Sequence, residues 1–239
     1  MQKIYVALRQ NDKKWNIIGL LEHNSDGYKF SYTKGIKNIN NFKPFGSMKE
    51  NVITSKELFP FFSNRVLSPT RPEYKRMLEW MNLEEEHCSP LLILALTEGK
   101  RGTDDIELFS CPVPRNGRFR VSFFAHGVRY THESNIESIA SVKDGEQLYI
   151  MKDFQNDIDS NAFALRTGDP IKLLGYLPRY LALDVKELCA KIEPKDINIS
   201  VVKNNKDAPM AFRYLCEIDA PWPKDFTPCH GDEYTPLDE

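Results

Sequence analysis

Residues 123–186 read FFAHGVRYTHESNIESIASVKDGEQLYIMKDFQNDIDSNAFALRTGDPIKLLGYLPRYLALDVK. Short runs rich in β-branched, aromatic and aliphatic residues, separated by Asn, Asp, Gly and Pro, predict strands joined by turns. RFRVSFFAH, EQLYIMKD, NAFALRT and LLGYLP supply such runs, and INISVVK and MAFRYLCEI add two more beyond the stretch. One helix interrupts them. PRYLALDVKELCAKI, residues 178–192, opens with a proline, whose missing N–H costs nothing in a first turn, and sets Leu181, Val185, Leu188 and Ile192 on one stripe. A small β-barrel with one packed helix fits this order, because closing a sheet removes its exposed edges.

Upstream the pattern differs. Residues 3–9, 15–22 and 27–33 predict an antiparallel meander, with QNDKK and HNSDG as its turns. In GYKFSYT, Tyr28, Phe30 and Tyr32 alternate with Lys29 and Ser31, so one aromatic face meets a core and the other meets water. Residues 34–56 are polar and Asn-rich, and predict mainly loop with room for a short strand. Helices are expected in SKELFPFFSNRVLS, in SPTRPEYKRMLEWMNL and over residues 89–98, where Gly99 is a natural stop. Pro60 makes the first of these start late or irregularly. IELFSCPVPRNGRFR, residues 106–120, predicts a linker containing a short strand. Residues 219–239, with four prolines and mostly acidic charge, predict an irregular or partly mobile tail.

Composition bounds the function. With 239 residues, two domains are expected, and a hydrophobic fraction of 41% excludes disorder over most of the length. Lys and Arg total 32 against 34 acidic residues, so nucleic acid can be attracted only by a local patch. The cysteines, Cys88, Cys111, Cys189, Cys216 and Cys229, form an odd, scattered set without C-x-x-C spacing, which predicts a reducing, cytoplasmic setting. The longest apolar run, PLLILAL, falls short of a membrane span, and the N-terminus has no apolar signal core.

No phosphate-binding loop, dinucleotide fingerprint, zinc-protease or serine-hydrolase motif occurs, and EGKRG at residues 98–102 lacks the spacing of a phosphate loop. No catalytic residue, metal or cofactor is assigned. His87-Cys88 and Cys229-His230 are the one pairing that a zinc site would draw on, but adjacent residues make awkward ligands. EEEHC at residues 84–88 is expected to be a solvated segment between helices.

Gly127-Val128-Arg129-Tyr130, then Gly145-x-x-Leu148, then Asn156-x-x-Asp159-x-Asn161-Ala162, then Gly175-Tyr176-x-Pro178 leading into a helix occur in that order. In this combination the chain resembles a HIRAN domain. The resemblance implies a small β-barrel that, in fork-remodelling DNA translocases, captures the 3′ end of single-stranded DNA. By resemblance, Arg129 pairs with phosphate, Tyr130 stacks on a base and Asp159 recognises the 3′-hydroxyl, with Asn156 and Tyr176 at the rim. The translocase domains carry a second tyrosine where this chain has Thr131, and another where it has Ile158, so part of the stacking platform is missing. Tyr176 is placed to replace one ring. The residues themselves leave another reading open: Asn156, Asp159 and Asn161 hold the turn FQNDIDSN, as Asn and Asp commonly do.

A looser resemblance covers residues 1–98. The strand with Ile18-Gly19-Leu20, the Tyr-x-Phe-x-Tyr strand and LFPFF together look like the N-terminal subdomain of HipA-type toxin kinases, without the kinase core. In split systems such a subdomain restrains a separate kinase, which implies a regulatory or partner-binding role, with Phe61, Phe62 and Trp80 as expected apolar anchors.

The expected protein is therefore α+β: a HipA-like β-meander with helices over residues 1–110, a HIRAN-like β-barrel over 111–218, and a Pro-rich acidic tail over 219–239. Its expected function is non-catalytic recognition of single-stranded DNA 3′ ends, with a possible protein partner on the N-terminal domain. The alternative is a protein-interaction or regulatory module of a toxin-antitoxin or defence type system without DNA binding.

Overall fold

The structure, a computed structural model, describes residues 2–10, 15–46 and 48–238; of the QNDKK turn only Gln10 lies within them. The described residues divide into two compact units. One takes the chain up to Tyr74, Glu86–Cys111 and everything from Thr227 onward. The other takes Lys75–Glu85 and Pro112–Phe226.

The N-terminal unit is built on an antiparallel sheet. Its strands are β1 (Gln2–Arg9), β2 (Trp15–Asn24), β3 (Gly27–Tyr32), β4 (Val52–Ser55) and β5 (Ile106–Ser110), in the order β4-β3-β2-β1-β5. The meander expected from the alternation is present, and β4 is the short strand for which residues 34–56 had room. IELFS belongs to this sheet and is no linker: Tyr5 pairs with Phe109 and Val6 with Leu108, burying Ile106, Leu108 and Phe109. A run this apolar is more stable completing the sheet edge than crossing solvent.

Only a short helix forms in LFPFF. The chain is extended at Phe59 (ψ 141°) because a residue before proline avoids the helical region, so α1 runs over Pro60–Ser63. Helix α2 covers Glu73–Trp80. Helix α3 (Pro90–Thr97) starts as its residues dictate: the Ser89 hydroxyl accepts from the Leu92 amide at 3.2 Å, and Pro90 takes the first turn. It stops where Glu98 and Gly99 turn left-handed. Phe30, Tyr32, Phe62, Leu94 and Leu108 meet in the core.

The tail is not loose. Thr33 bridges Pro236, the Lys34 amide donates to Thr235 O at 2.8 Å, and the Leu237 amide donates to Tyr32 O at 2.9 Å. Tyr234 is buried edge-on against Tyr5, with ring centroids 4.9 Å apart. An aromatic ring with a pocket to enter pins a segment whose prolines alone predict irregularity.

The aromatic anchors expected on the N-terminal surface are largely used internally. Phe62 is fully buried, and Phe61 is half-buried, stacked on Phe45 at 4.4 Å and covered by the Arg65 guanidinium. Trp80, within the second unit, is half-buried against Phe212.

That second unit is a six-stranded antiparallel sheet. Strands β6 (Arg118–Phe124), β7 (Gln147–Lys152), β8 (Phe163–Arg166), β9 (Leu173–Tyr176), β10 (Asn198–Asn204) and β11 (Tyr214–Pro221) take the order β6-β11-β10-β7-β8-β9. The sheet curls into a half-barrel, and past the end of β6 His126 exchanges two 2.9 Å backbone hydrogen bonds with Tyr176 at the end of β9. Closure thus rests on one bridge where a full barrel would have a complete ladder. Gly175 makes it possible: its φ is +143°, and a Cβ there would lie 2.4 Å from His126 O. Helix α5 (Arg179–Lys191) buries Leu181, Val185 and Leu188 of the expected stripe; Ile192, its fourth member, lies past the last helical turn in extended backbone and is half-buried. A further helix, α4 (Glu133–Ile139), is capped by the His132 ring, which accepts from the Ser134 amide. Among the described residues no helix is long and apolar enough to cross a membrane.

Candidate nucleic-acid interface

The turn after β6 begins at Gly127, whose φ of +70° reverses the chain. Val128 is buried beneath it, while the Tyr130 amide donates to Gly127 O at 2.9 Å to close a 3-10 turn over Val128–Tyr130. Anchoring the middle of so tight a turn projects the next two side chains outward. Arg129 is exposed, and Tyr130 is 76% exposed. The guanidinium lies over the Tyr130 ring, 4.6 Å from its centroid, and Nη2 donates to the phenol oxygen. A cation and a flat ring are thus offered together. Thr131, where the resemblance implies a second ring, donates its hydroxyl to Val128 O at 2.9 Å and so closes the turn.

Asn156 and Asp159 lie on the loop between β7 and β8, and both hold its shape. Asn156 Oδ1 accepts from the Ile158 and Asp159 amides at 3.0 and 2.9 Å. Asp159 Oδ1 accepts from the Asn161 amide at 2.9 Å. The turn-holding reading is therefore realised for Asn156 and Asp159, whereas the Asn161 side chain turns to Lys186, whose Nζ donates to Asn161 Oδ1 at 3.4 Å; Asp159 Oδ2 still carries no hydrogen bond among the described residues. A carboxylate oxygen so placed can accept from a hydroxyl.

Tyr176 acts as a strut. Its hydroxyl donates to Asp153 Oδ2 at 3.0 Å, and Asp153 also accepts from Asn156 Nδ2 at 3.2 Å and from the Gln155 amide at 3.1 Å. Burial, and then the Asp153 carboxylate, push the Tyr176 phenol above its ordinary value. Desolvation pulls Asp153 upward, but hydrogen bonds from Asn156, Tyr176 and the Gln155 amide, with the Lys152 charge, outweigh it and hold the carboxyl low. Through the His126 bridge and this carboxylate, β9 links the turn bearing Arg129 and Tyr130 to the loop bearing Asn156 and Asp159.

Residues 119–218 match the family model of the HIRAN domain. This part of the chain is a HIRAN domain. Two solved structures resemble the chain. The HIRAN domain of human HLTF is 20% identical, with 44% of this chain and 74% of that chain covered and a TM-score of 0.32. A protein from Lactobacillus plantarum is 15% identical, with 44% and 99% covered and a TM-score of 0.31. No curated protein matches the chain. The HIRAN match begins at Phe119, so the HipA-like reading of residues 1–98 rests on the resemblance of the quoted segments alone.

Sequence reasoning passed over several residues of this domain. Asp153, which joins Tyr176 to Asn156, reads as one more acid in a polar turn. Phe154 is 89% exposed, and Tyr149 is 47% exposed with the Arg166 guanidinium 5.0 Å from its ring centroid. The available signal was a phenylalanine inside the polar run KDFQND, where no strand or helix period requires one. Among the described residues no group of three or more His, Cys, Asp or Glu is placed to hold a metal ion.

Proposed function

We propose that the HIRAN domain of this chain binds single-stranded DNA and takes up its 3′ end, as a binding module without catalysis. The observation that carries this reading is the exposed Arg129–Tyr130 pair on a turn anchored by Val128, joined through Tyr176 and Asp153 to the loop holding Asp159. Such a pair provides one charge for a phosphate and one face for an unstacked base. Stacking on an aromatic ring is worth ~1–3 kcal/mol per base, so a net charge of -2 need not prevent binding. In this reading Asp159 Oδ2 accepts from the terminal hydroxyl, while Asn156 and Tyr176 hold Asp159 and the Arg129 turn in place.

The rival reading, a regulatory or partner-binding module acting through residues 1–98, would use Phe61, Phe62 and Trp80 as anchors. Those rings are buried or half-buried, which favours the DNA reading. A reducing, cytoplasmic setting suits an odd set of cysteines scattered without C-x-x-C spacing.

Titration of the full chain with labelled oligonucleotides tests the proposal. A free 3′-hydroxyl is expected to bind well above a 3′-phosphate, because the added charge meets Asp159, and affinity is expected to fall with salt. Equal affinity for both ends would exclude end recognition, and no binding at low salt would exclude the DNA reading.

A further inference from the structure

Phe154 is 89% exposed and makes no ring contact or side-chain hydrogen bond with any described residue. Single exposed apolar residues are ordinary on surfaces, so exposure alone says little. What sets Phe154 apart is its support. Asp153, directly before it, donates its amide to Ala162 O at 3.0 Å and accepts three hydrogen bonds on its carboxylate. Directly before that, Lys152 Nζ donates to Ser160 O at 2.7 Å across the loop. The ring is thus mounted on a braced loop, the one that carries Asn156 and Asp159, and Ile158 on the same loop is 59% exposed. A ring without a polar tip gains nothing from facing phosphate; the flat face of a base is the surface it can cover.

We propose that Phe154 is a second stacking platform, covering a base of the same single strand whose other base lies on Tyr130. The assignment rests on the single-stranded DNA reading above. It extends the contact beyond the Arg129–Tyr130 turn to the β7–β8 loop, and implies that at least two unstacked bases are needed for full affinity.

The test uses the full chain and labelled oligothymidylate with a free 3′ end, followed by anisotropy. Abasic residues replace the bases one position at a time from that end. The parent is expected to lose affinity at two or more positions. Phe154→Ala is expected to bind roughly 5- to 150-fold more weakly, with an unchanged salt slope. In that variant the abasic penalty should vanish at one position and persist at the others. Phe154→Leu, which keeps the apolar bulk and loses the flat face, is expected to behave like the alanine variant, and Phe154→Trp to bind like the parent. Circular dichroism and thermal unfolding should match the parent in each, because the ring packs on nothing. If Phe154→Ala binds like the parent while Tyr130→Ala does not, the Phe154 assignment falls and the DNA reading stands. If the loss is the same at every abasic position, Phe154 does not stack on a base and the assignment again falls. If the parent binds no oligonucleotide at low salt, both fall. Tighter binding to oligouridylate than to oligothymidylate would move the same platform to RNA and overturn the assignment to DNA.

Discussion

The two units treat their apolar side chains in opposite ways. In the N-terminal unit the rings close on one another: Phe30, Tyr32, Phe45 and Phe62 pack edge-on or tilted with centroids 4.9 to 6.5 Å apart, and the Tyr32 hydroxyl donates to Met48 O. The HIRAN unit also buries rings, Phe119 and Phe123 among them, yet Tyr130, Tyr149, Met151, Phe154, Ile158 and Ile171 stand in solvent. All the strongly exposed large apolar residues among the described ones belong to this unit. Aromatic residues in the first unit stabilise; those displayed by the second are available for contact. Display of this kind marks an interaction surface more reliably than aromatic content does.

Four measurements test this contrast. The largest effect is expected from Phe62→Ala, which removes a fully buried ring from the N-terminal core. It should cost about 3–5 kcal/mol in denaturant unfolding, and a cost below ~1 kcal/mol would mean that this core is not closed by its rings.

Gly175→Ala comes next. Its Cβ would meet His126 O and its φ is unfavourable for alanine, so the bridge that closes the half-barrel should be strained by about 1–3 kcal/mol. The loss should appear both in thermal unfolding and in weaker oligonucleotide binding. Unfolding at the parent's temperature would show that closure matters little.

Tyr130→Ala should do the reverse of Phe62→Ala, changing stability by no more than ~0.5 kcal/mol while lowering oligonucleotide affinity by about 1–3 kcal/mol. Arg129→Ala should also reduce the salt slope by about one phosphate contact. Because the guanidinium rests on the Tyr130 ring, the two losses should not add, and a double-mutant cycle should show coupling of about 0.5–3 kcal/mol. Strict additivity would make Arg129 and Tyr130 independent contacts.

The smallest effect concerns pH. Asp153 titrates below its ordinary value in the folded loop, so what its carboxylate contributes is fully present above the unfolded value of ~3.9 and fades as pH falls through the folded one. Loop order, read from hydrogen exchange at the Gln155 amide that Asp153 accepts, should decline only in that acid window. Asp153→Asn should remove the dependence. A transition near neutrality would point to a group other than this carboxylate.

Local pattern carried much of the fold. The meander strands, the Ser89-capped helix, the α5 stripe and the strands of the HIRAN unit follow from periodicity and turn residues. IELFS was misread because prolines follow it closely, and the partner that makes it a sheet edge, β1, lies almost a hundred residues earlier in the chain. The short α4 carries too weak a period to stand out. At the candidate site, Arg129, Tyr130, Asn156, Asp159 and Tyr176 were legible as an ordered set. Their division of labour was not: a sequence does not say whether an Asn or Asp oxygen faces its own backbone or solvent.

Spacing along the chain is enough for the alternation that makes two sets of strands, for the helix stop at Gly99, and for the ordered residues that mark the HIRAN domain. These are local properties of composition and spacing, set within a few residues. Tertiary structure alone decided that residues 227 onward return to the N-terminal unit, that Tyr176 braces Asp153, and that Phe62 is hidden while Phe154 is bare. Each depends on which distant surfaces exclude water from a side chain, and the same phenylalanine carries the same local preferences in either place.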